Sequence, residues 1–170
     1  VVDPVMVATS GARLMQDEAV EVFTKKLLPM ASLLTPNVPE AEVLAGIPIN
    51  DKDSMEKAAH IIHSKGCKAL LIKGGHIEGR KIDRLYTAMG MEREYEAANV
   101  ATRNTHGTGC TLSSAITSYL AMGYAIGEAI AAAKEWLTGA LIAGANVEIG
   151  SGHGPVNHFY TPQKTIIKTK

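Results

Sequence analysis

Short apolar runs with the character of buried strands alternate along this chain with segments of helical spacing. The clearest apolar runs are residues 31–35 and 68–73, and helices are predicted over 17–28 and 53–65. This alternation favours a parallel sheet, because two parallel strands need a long crossover that a helix commonly supplies. We therefore predict an α/β fold in which residues 1–170 form a single domain, with a mainly parallel sheet flanked by helices on both faces.

The other predicted elements complete this order of strands and helices. They are a strand within 1–7 that ends near Asp3 or Pro4, a brief helix after Pro39 that ends at Gly46, a capping box that opens a helix at Asp53, a hairpin over 82–98, two Ala-rich helices at about 110–122 and 127–144, and a last strand near 165–168. Because the chain opens inside a strand and without an initiator Met, we interpret it as a piece of a longer protein. Trimming of a disordered lead-in is the alternative.

Composition and charge exclude several classes of function. Hydrophobic residues make up 46% of the chain and aromatic residues 5%, so the interior consists of small aliphatic side chains, as in sheets covered on both faces. The 17 basic and 17 acidic residues balance, so we expect no nucleic-acid partner. No apolar stretch of the sequence reaches the ~18 residues of a membrane helix, so no membrane partner is expected. The two cysteines form neither a disulfide framework nor a zinc pattern, which favours the reducing cytoplasm.

The sharpest local pattern is the loop at 105–111, Thr-His-Gly-Thr-Gly-Cys-Thr, which leads directly into a predicted helix. Gly107 and Gly109 let the backbone approach a ligand, and the first turn of a helix presents N–H groups without intrahelical acceptors. With the positive end of the helix dipole, these groups suit a phosphoryl group. A plain glycine turn capped by Thr108 is the alternative. The loop lacks the Lys of a Walker A motif and the third glycine of a dinucleotide-binding loop.

Cys110 lies in the first turn of the helix that follows this loop. The positive end of a helix stabilises a thiolate, which favours a reactive thiol at this position. A buried cysteine that packs as a small hydrophobic side chain is the alternative, and the local sequence does not separate the two. Cys67 has no comparable setting, so we interpret it as a core or surface thiol.

Polar side chains follow the predicted strands where ligands collect in parallel sheets. Lys73 ends a buried strand, and Asp3 and Asn37 follow other apolar strand residues. Ligands bind at the carboxyl ends of parallel strands, so we expect these residues at one edge with the glycine loop. Acids and an amide could order magnesium there, and the lysine could hold phosphate. Glu40 could join this set or serve only to stabilise a helix N-terminus.

With these residues identified, the chain resembles the hydroxymethylpyrimidine/phosphomethylpyrimidine kinases of thiamine biosynthesis, which belong to the ribokinase-like superfamily. Five segments carry the resemblance in the family's order: Asp-Pro-Val-Met at 3–6, Thr-Pro-Asn-Val-Pro-Glu-Ala at 35–41, Lys-Gly-Gly-His at 73–76, the loop at 105–111, and Gly-Pro-Val-Asn-His-Phe at 154–159. The resemblance implies a ribokinase-like sheet whose N-terminal strands are missing here. The chain would then be the C-terminal portion of such a kinase, without much of the pyrimidine pocket.

The resemblance also implies roles around the loop. Gly107, Thr108 and Gly109 would form the anion hole of the kinase. Cys110 would stand where most ribokinase-like enzymes carry an aspartate base, and would accept or relay the proton of the substrate hydroxyl. Val5 would contact the substrate in the pyrimidine pocket.

A second set of implied roles concerns the nucleotide and the metal. Asn37 and Glu40 match the superfamily's Asn-x-x-Glu motif, which is tied to magnesium and phosphate. Lys73 would contact the phosphates of ATP, and Lys134 would lie near the nucleotide. Asp3 would face the phosphate and magnesium region, so Asp3 and Glu40 are the predicted metal residues.

The implied activity is phosphoryl transfer from ATP, with Mg²⁺, to the hydroxymethyl group of an aminopyrimidine and then to its monophosphate. A pyridoxal kinase of the same fold is one alternative, since some relatives with a cysteine at this position accept pyridoxine-type alcohols. A non-catalytic nucleotide-binding fragment is another. The family's tendency to dimerise implies a homodimer.

Overall fold

The computed structural model describes residues 1–6, 14–75 and 82–162. Within these ranges the chain forms five α-helices and three β-strands. The helices are α1 Asp17–Val22, α2 Val38–Ala45, α3 Lys52–Ser64, α4 Thr108–Ala121 and α5 Ile126–Gly144, and the strands are β1 Ala69–Gly75, β2 Ile82–Thr87 and β3 Gly90–Glu96. The strand predicted near 165–168, and His76 of the kinase-like segment, lie outside the described residues.

Helices α2 and α3 both begin at capping boxes. At α2, the Asn37 side chain accepts the Glu40 N–H at 2.8 Å, and the Glu40 carboxylate accepts the Asn37 N–H at 2.8 Å. This helix ends before a left-handed glycine, as predicted. At α3, the cap is Asp51, whose carboxylate accepts the Ser54 N–H at 2.7 Å. The predicted cap at Asp53 is therefore wrong by two residues, because Ser54 completes the box with the earlier aspartate.

The first helical segment continues past the proline at which the sequence predicts its end. After α1, a π-helical turn at Phe23–Leu27 and a 3-10 turn at Leu28–Met30 carry the chain through Pro29. Proline is tolerated in the first turn of a helix, where its missing N–H would have no intrahelical acceptor. The predicted end before Pro29 is therefore wrong, and the helix changes its type at that point instead.

The named strands form an antiparallel sheet in the order β1-β2-β3. The predicted hairpin over 82–98 is confirmed as β2 and β3. Only residues 76–81 separate β1 from β2, too few for the crossover that parallel pairing needs. The described sheet is therefore antiparallel, and the expected mainly parallel sheet is not seen. The segments predicted as strands within 1–7 and at 31–35 form no continuous strand in the described residues. In the described ranges, parallel pairing occurs as isolated bridges that join Val2 to Leu34, Leu34 to Leu70, Asn37 to Lys73 and His106 to Pro155.

The sheet buries both of its faces against helices. On β1, Leu70 and Ile72 belong to a core cluster with residues of α2 and α3, whereas Ala69 and Leu71 belong to a second cluster with residues of α4 and α5. Successive side chains of a strand point to opposite faces, so this division places helices on both sides of the sheet, as predicted. No helix in the described part of the chain has the length and apolar character needed to cross a bilayer.

Candidate active site

Lys73 and Asp3 meet at the end of the sheet, although they lie far apart in the sequence. The Lys73 Nζ is 2.6 Å from the Asp3 Oδ1, in an ion pair whose side chains are 17% and 12% exposed. The Thr35 hydroxyl donates to the same Asp3 oxygen at 3.1 Å. The Lys73 N–H donates to the Pro36 C=O at 2.8 Å, which fixes the end of β1 against the segment that leads into α2. The structure thus brings two of the predicted strand-end residues to one edge.

Asn37 and Glu40 lie beside this ion pair. A parallel bridge joins Asn37 to Lys73. Glu40 is buried, and its two carboxylate oxygens accept the Met6 N–H at 3.3 Å and the Asn37 N–H at 2.8 Å. The helix-capping role of Glu40 is therefore confirmed. Its role toward magnesium stays a prediction.

Burial raises the pKa of Glu40 above its ordinary value. The Asn37 N–H and the Lys73 charge act in the opposite direction, and the Asp3 carboxylate adds to the rise. The folded protein therefore holds this proton more tightly than the unfolded chain does. Stability from this group is full below the ordinary pKa and is lost as pH rises through the raised pKa of the folded state.

We expect a Glu40→Gln substitution to remove this pH dependence. The free energy of unfolding of the wild type should fall relative to that of the variant as pH rises from 4.5, the ordinary value for glutamate. The slope should not exceed about 1.4 kcal/mol per pH unit, the limit for a single proton. Urea denaturation at a series of pH values measures the difference, with exposed Glu92→Gln as the control. The prediction would be contradicted if the wild type became more stable relative to the Glu40→Gln variant as pH rises.

The glycine loop brings the N-terminus of α4 against the Lys73–Asp3 pair. Gly107, at φ 82°, is the left-handed residue that precedes the helix. A Cβ added to Gly109 would lie 3.4 Å from the Lys73 Nζ and 3.5 Å from the Asp3 Oδ2, so the glycine leaves space beside both charged groups. The N–H groups of a first helical turn have no intrahelical acceptors. A helix N-terminus, an ammonium group and a carboxylate therefore converge at one place.

Thr108 does not cap this helix. Its hydroxyl donates to the Thr105 C=O at 2.6 Å, and its N–H donates to the same carbonyl at 3.2 Å. The N-terminus of α4 has no side-chain cap. The two bonds of Thr108 instead close the turn that precedes the helix, so the alternative of a plain glycine turn stays open beside the anion site. The N–H groups of the following first-turn residues are the donors that an anion would use.

The segment at 154–159 packs against the glycine loop and the start of α4 through hydrogen bonds. The His106 N–H donates to the Gly154 C=O at 3.1 Å. A Cβ on Gly154 would collide with the Asn104 side chain, so a glycine is needed there. Beyond the loop, the Thr111 Oγ1 is 2.9 Å from the His158 Nε2. The Gly-Pro-Val-Asn-His-Phe segment of the family resemblance thus positions the glycine loop.

The two cysteines lie in opposite environments. Cys110 is exposed in the first turn of α4, whereas Cys67 is buried. Burial raises the pKa of the Cys67 thiol to about 11. The core interpretation of Cys67 is confirmed. For Cys110, the alternative of a buried packing residue is wrong, because its side chain is open to reagents and substrates.

Lys134, on α5, reaches the same end of β1 through a residue that the sequence analysis missed. Its Nζ forms an ion pair with the Asp83 Oδ2, and the Asp83 Oδ1 accepts the N–H of Gly74, the residue after Lys73. The Lys134 and Asp83 side chains are 14% and 8% exposed. Asp83 lies inside a hairpin strand rather than at a strand end. The available signal was a pair of adjacent charged residues, Asp83 and Arg84, inside the strand-like run Ile-Asp-Arg-Leu-Tyr, all of which is buried.

A cleft of about 620 Å³ opens between β3 and α5, with Lys134 in its wall. Tyr95, Thr138 and Tyr160 also line it. Its volume lies in the range of pockets that hold small ligands and cofactors.

Val5, the predicted substrate contact, is tied to the backbone of Asp3. Its N–H donates to the Asp3 C=O at 3.0 Å, and its side chain is exposed. The structure thus places the predicted substrate contact next to the ion pair.

Comparison with known proteins identifies the family to which this arrangement belongs. A family model for phosphomethylpyrimidine kinase matches residues 1–157. The chain belongs to the phosphomethylpyrimidine kinase family. The hydroxymethylpyrimidine/phosphomethylpyrimidine kinase of Rhizobium meliloti is 45% identical over 161 residues, which cover 94% of this chain and 60% of that protein. The chain therefore spans about 60% of the length of such a relative. The resemblance found in the sequence is confirmed.

Solved structures of related kinases share the fold. An ADP complex of Bacillus subtilis pyridoxal kinase matches with a TM-score of 0.80 and 35% identity, covering 93% of this chain and 59% of that chain. The phosphomethylpyrimidine kinase of Clostridium difficile matches with a TM-score of 0.68 and 43% identity, covering 81% and 55%. The chain thus has an α/β kinase fold similar to that of pyridoxal kinase, of the ribokinase-like type.

Proposed function

We propose that this chain carries the phosphoryl-transfer site of a kinase that phosphorylates a hydroxymethyl aminopyrimidine and then its monophosphate, with ATP as the donor. The observation that carries the proposal is the convergence of Lys73, Asp3 and the N-terminus of α4 beside Gly109. Phosphoryl transfer depends on positioning and on stabilisation of charge, and this place offers a cation, backbone donors and a carboxylate. Membership of the family supports the substrate class.

The transferring phosphoryl group would lie at the N-terminus of α4. The first-turn N–H groups of Gly109 and Cys110 would donate to its oxygens. This keeps Gly109 of the predicted anion hole Gly107–Thr108–Gly109 and adds Cys110, since the Thr108 N–H donates to the Thr105 C=O. Lys73 would move its ammonium group from Asp3 to a phosphate oxygen of ATP. Such charge-assisted hydrogen bonds are stronger than those between neutral groups and stabilise the charge that spreads over the phosphoryl oxygens.

Cys110 would act as the base for the substrate hydroxyl. Its exposed side chain lies in the first helical turn, next to the donors that would hold the phosphoryl group. The hydroxyl proton would pass to the thiolate sulfur as the hydroxyl oxygen attacks phosphorus and the bond to the ADP oxygen breaks. The exposed Val5, beside Asp3, would line the adjoining pyrimidine pocket.

The acids at this edge fit a magnesium site that is completed by phosphate oxygens and water. In the described residues no group of three or more His, Cys, Asp or Glu side chains could hold a metal alone. Magnesium commonly binds through only one or two carboxylates and the phosphates of the substrate. Asp3 fits because its Oδ2 faces Gly109 while its Oδ1 holds Lys73. Bound Mg²⁺ would neutralise charge on the phosphate oxygens, and Glu40 would add negative charge nearby.

The nucleoside of ATP would lie on the Lys134 side of the site. Lys134 contributes to the cleft between β3 and α5 and is joined through Asp83 to the residue after Lys73. The Lys134–Asp83 pair therefore connects the cleft to the end of β1 that carries Lys73. Asn37, bridged to Lys73 and capping α2, would hold the phosphate edge in shape.

Two alternatives differ from this proposal in defined ways. A pyridoxal kinase is favoured by the higher TM-score of the Bacillus subtilis structure, whereas the higher identity favours a pyrimidine kinase. A nucleotide-binding module without turnover is favoured by the share of the relatives that the chain spans. Turnover with a hydroxymethyl aminopyrimidine, with pyridoxal, or with neither separates the three. The single domain as the C-terminal portion of a kinase, the cytoplasmic location and the homodimer stay predictions.

A Gly109→Ala substitution tests the proposed phosphate position. The added methyl group would occupy the space beside the Lys73 Nζ and the Asp3 Oδ2, so ATP affinity should fall by about tenfold or more, the size of one lost charge-assisted contact. Because alanine favours a helix over glycine, the melting temperature should not fall. Calorimetric titration with ATP and thermal melting measure the two effects.

Gly152→Ala is the matched control, since a Cβ at that position meets no atom within 4 Å. It should leave ATP affinity unchanged. If the Gly109→Ala variant and the wild type bind ATP with equal affinity, the phosphate does not bind beside Gly109.

A further inference from the structure

The ion pair between Asp83 and Lys134 lies beside the end of β1 that carries Lys73. Asp83 projects from β2 toward the face that α5 covers, and its neighbour Arg84 projects to the opposite face, where its Nη1 contacts the Met55 sulfur at 3.7 Å. Only 8% of the Asp83 side chain and 14% of the Lys134 side chain are exposed. A salt bridge this deeply placed is screened little by solvent, and removal of one partner leaves the other charge buried.

The second oxygen of Asp83 acts on the backbone of β1. The pairing of β1 with β2 shifts its register between Ile72 and Gly75, which places Lys73 and Gly74 in an irregular part of the strand. Gly74 adopts the left-handed region at φ 53°, and its N–H donates to the Asp83 Oδ1 rather than to a strand carbonyl. The carboxylate therefore stabilises the irregularity from which Lys73 extends toward Asp3.

We propose that Asp83 is a positioning residue that couples two lysines of the site. One of its oxygens holds the irregular end of β1 that carries Lys73, and the other holds the ammonium group of Lys134 at the wall of the cleft. This inference rests on the proposed function, since it assigns both lysines to one bound nucleotide. Asp83 does not act on the phosphate itself.

The physical benefit of this arrangement is preorganisation. A free lysine side chain has many rotamers, and a ligand that fixes the side chain loses affinity for that reason. Lys134 is already fixed by Asp83 before a nucleotide arrives. Without the pair, ATP would have to fix the Lys134 side chain itself. We therefore expect ATP binding to weaken by about ten- to thirtyfold, which corresponds to the free energy of fixing one lysine side chain.

Asp83→Asn is the informative variant. Asparagine retains an oxygen for the Gly74 N–H but loses the charge that holds Lys134. The end of β1 should therefore keep its shape, at a cost in melting temperature for the unpaired Lys134, while ATP affinity falls by the stated factor. Glu92→Gln, an exposed residue of β3, removes the same unit of charge and should leave the affinity unchanged. ATP binding by Asp83→Asn that equals or exceeds that of the wild type would show that Asp83 is only a counter-charge, and would overturn the proposal.

A second measurement uses the wild type without nucleotide. In a pulse of acetic anhydride read by mass spectrometry, Lys134 should react more slowly than the exposed Lys68, because its amine is held in a largely buried ion pair with Asp83. In Asp83→Asn this protection should be lost. Equal acetylation of the two lysines in the wild type would overturn the proposal even if the variant does not fold. Absence of ATP binding by the wild type would instead count against the proposed function, and the acetylation result would then still show whether Asp83 holds the Lys134 amine.

Discussion

Replacing Cys110 by alanine is expected to lower turnover of the hydroxymethyl substrate by about 10²–10⁴-fold, the contribution typical of a general base. Cys110 lies in the first turn of α4, where the substrate hydroxyl would meet the phosphoryl group. The substitution removes one sulfur atom from an exposed side chain, so folding and ATP affinity should change little. Steady-state kinetics and calorimetric titration with ATP, on the same preparation, separate the effect on the chemical step from an effect on binding.

Two further variants make this test specific. Cys110→Asp restores the acid used elsewhere in the superfamily and should retain more activity than Cys110→Ala. Cys67→Ala is the matched control, because it removes a buried thiol whose pKa is raised to about 11 and should reduce stability rather than turnover. In the wild type, alkylating reagents should modify Cys110 faster than Cys67, and ATP with substrate should slow the modification. Full turnover by a folded Cys110→Ala enzyme would exclude the thiol as base.

The helices could be predicted closely because their ends are encoded by neighbouring residues. The Ala-rich runs of α4 and α5 lie within a few residues of their predicted ranges. Helix α2 ends at the predicted glycine but begins at Val38, ahead of the predicted start after Pro39, because Asn37 and Glu40 form a capping box and proline is accepted in a first helical turn. Errors arose where two local signals compete. At α3, both Asp51 and Asp53 are candidate N-caps, and Ser54 selects Asp51 by completing its capping box. At Pro29, a proline can either end a helix or stand in the first turn of a new one, and here it stands in the first turn of the 3-10 segment.

The direction of strand pairing could not be predicted equally well. Alternation of strands and helices favours parallel pairing. Whether two consecutive strands can pair in parallel, however, depends on whether the connection between them is long enough for a crossover. Residues 76–81 are too few to carry a helix, and this enforces the antiparallel sheet of β1 and β2. The parallel contacts that the alternation predicts survive as single bridges at Leu34 and Lys73, where the paired segments are short.

The candidate site shows the same division between local and long-range information. Lys73, Asp3 and the loop could be singled out because each ends or follows an apolar run predicted as a strand, or opens a predicted helix. Asp83 could not, since its importance arises only when β2 lies between Gly74 and Lys134. A residue that joins three elements leaves no local pattern beyond a charged residue in a strand, and ion pairs of purely structural role produce the same pattern.

Replacing Lys73 by alanine is expected to weaken ATP binding by about ten- to hundredfold, the loss that follows removal of a charge-assisted phosphate contact worth about 1.5–3 kcal/mol. The same substitution leaves the Asp3 carboxylate, 12% exposed, with only the Thr35 hydroxyl as a described partner of its Oδ1, so the melting temperature should also fall. Calorimetric titration with ATP and thermal melting are therefore needed together.

An Asp3→Asn background separates these two effects of the Lys73 substitution. With a neutral side chain at position 3, loss of the lysine leaves no unpaired buried charge, so Lys73→Ala should then cost little stability. Its effect on ATP binding should persist, because the phosphate contact is lost in either background. Lys68→Ala, at an exposed position just before β1, is the matched control and should change neither quantity. If Lys73→Ala lowers the melting temperature in the wild-type background but leaves ATP affinity unchanged in both, Lys73 serves only to neutralise Asp3, and the phosphate must be held by the N-terminus of α4 alone.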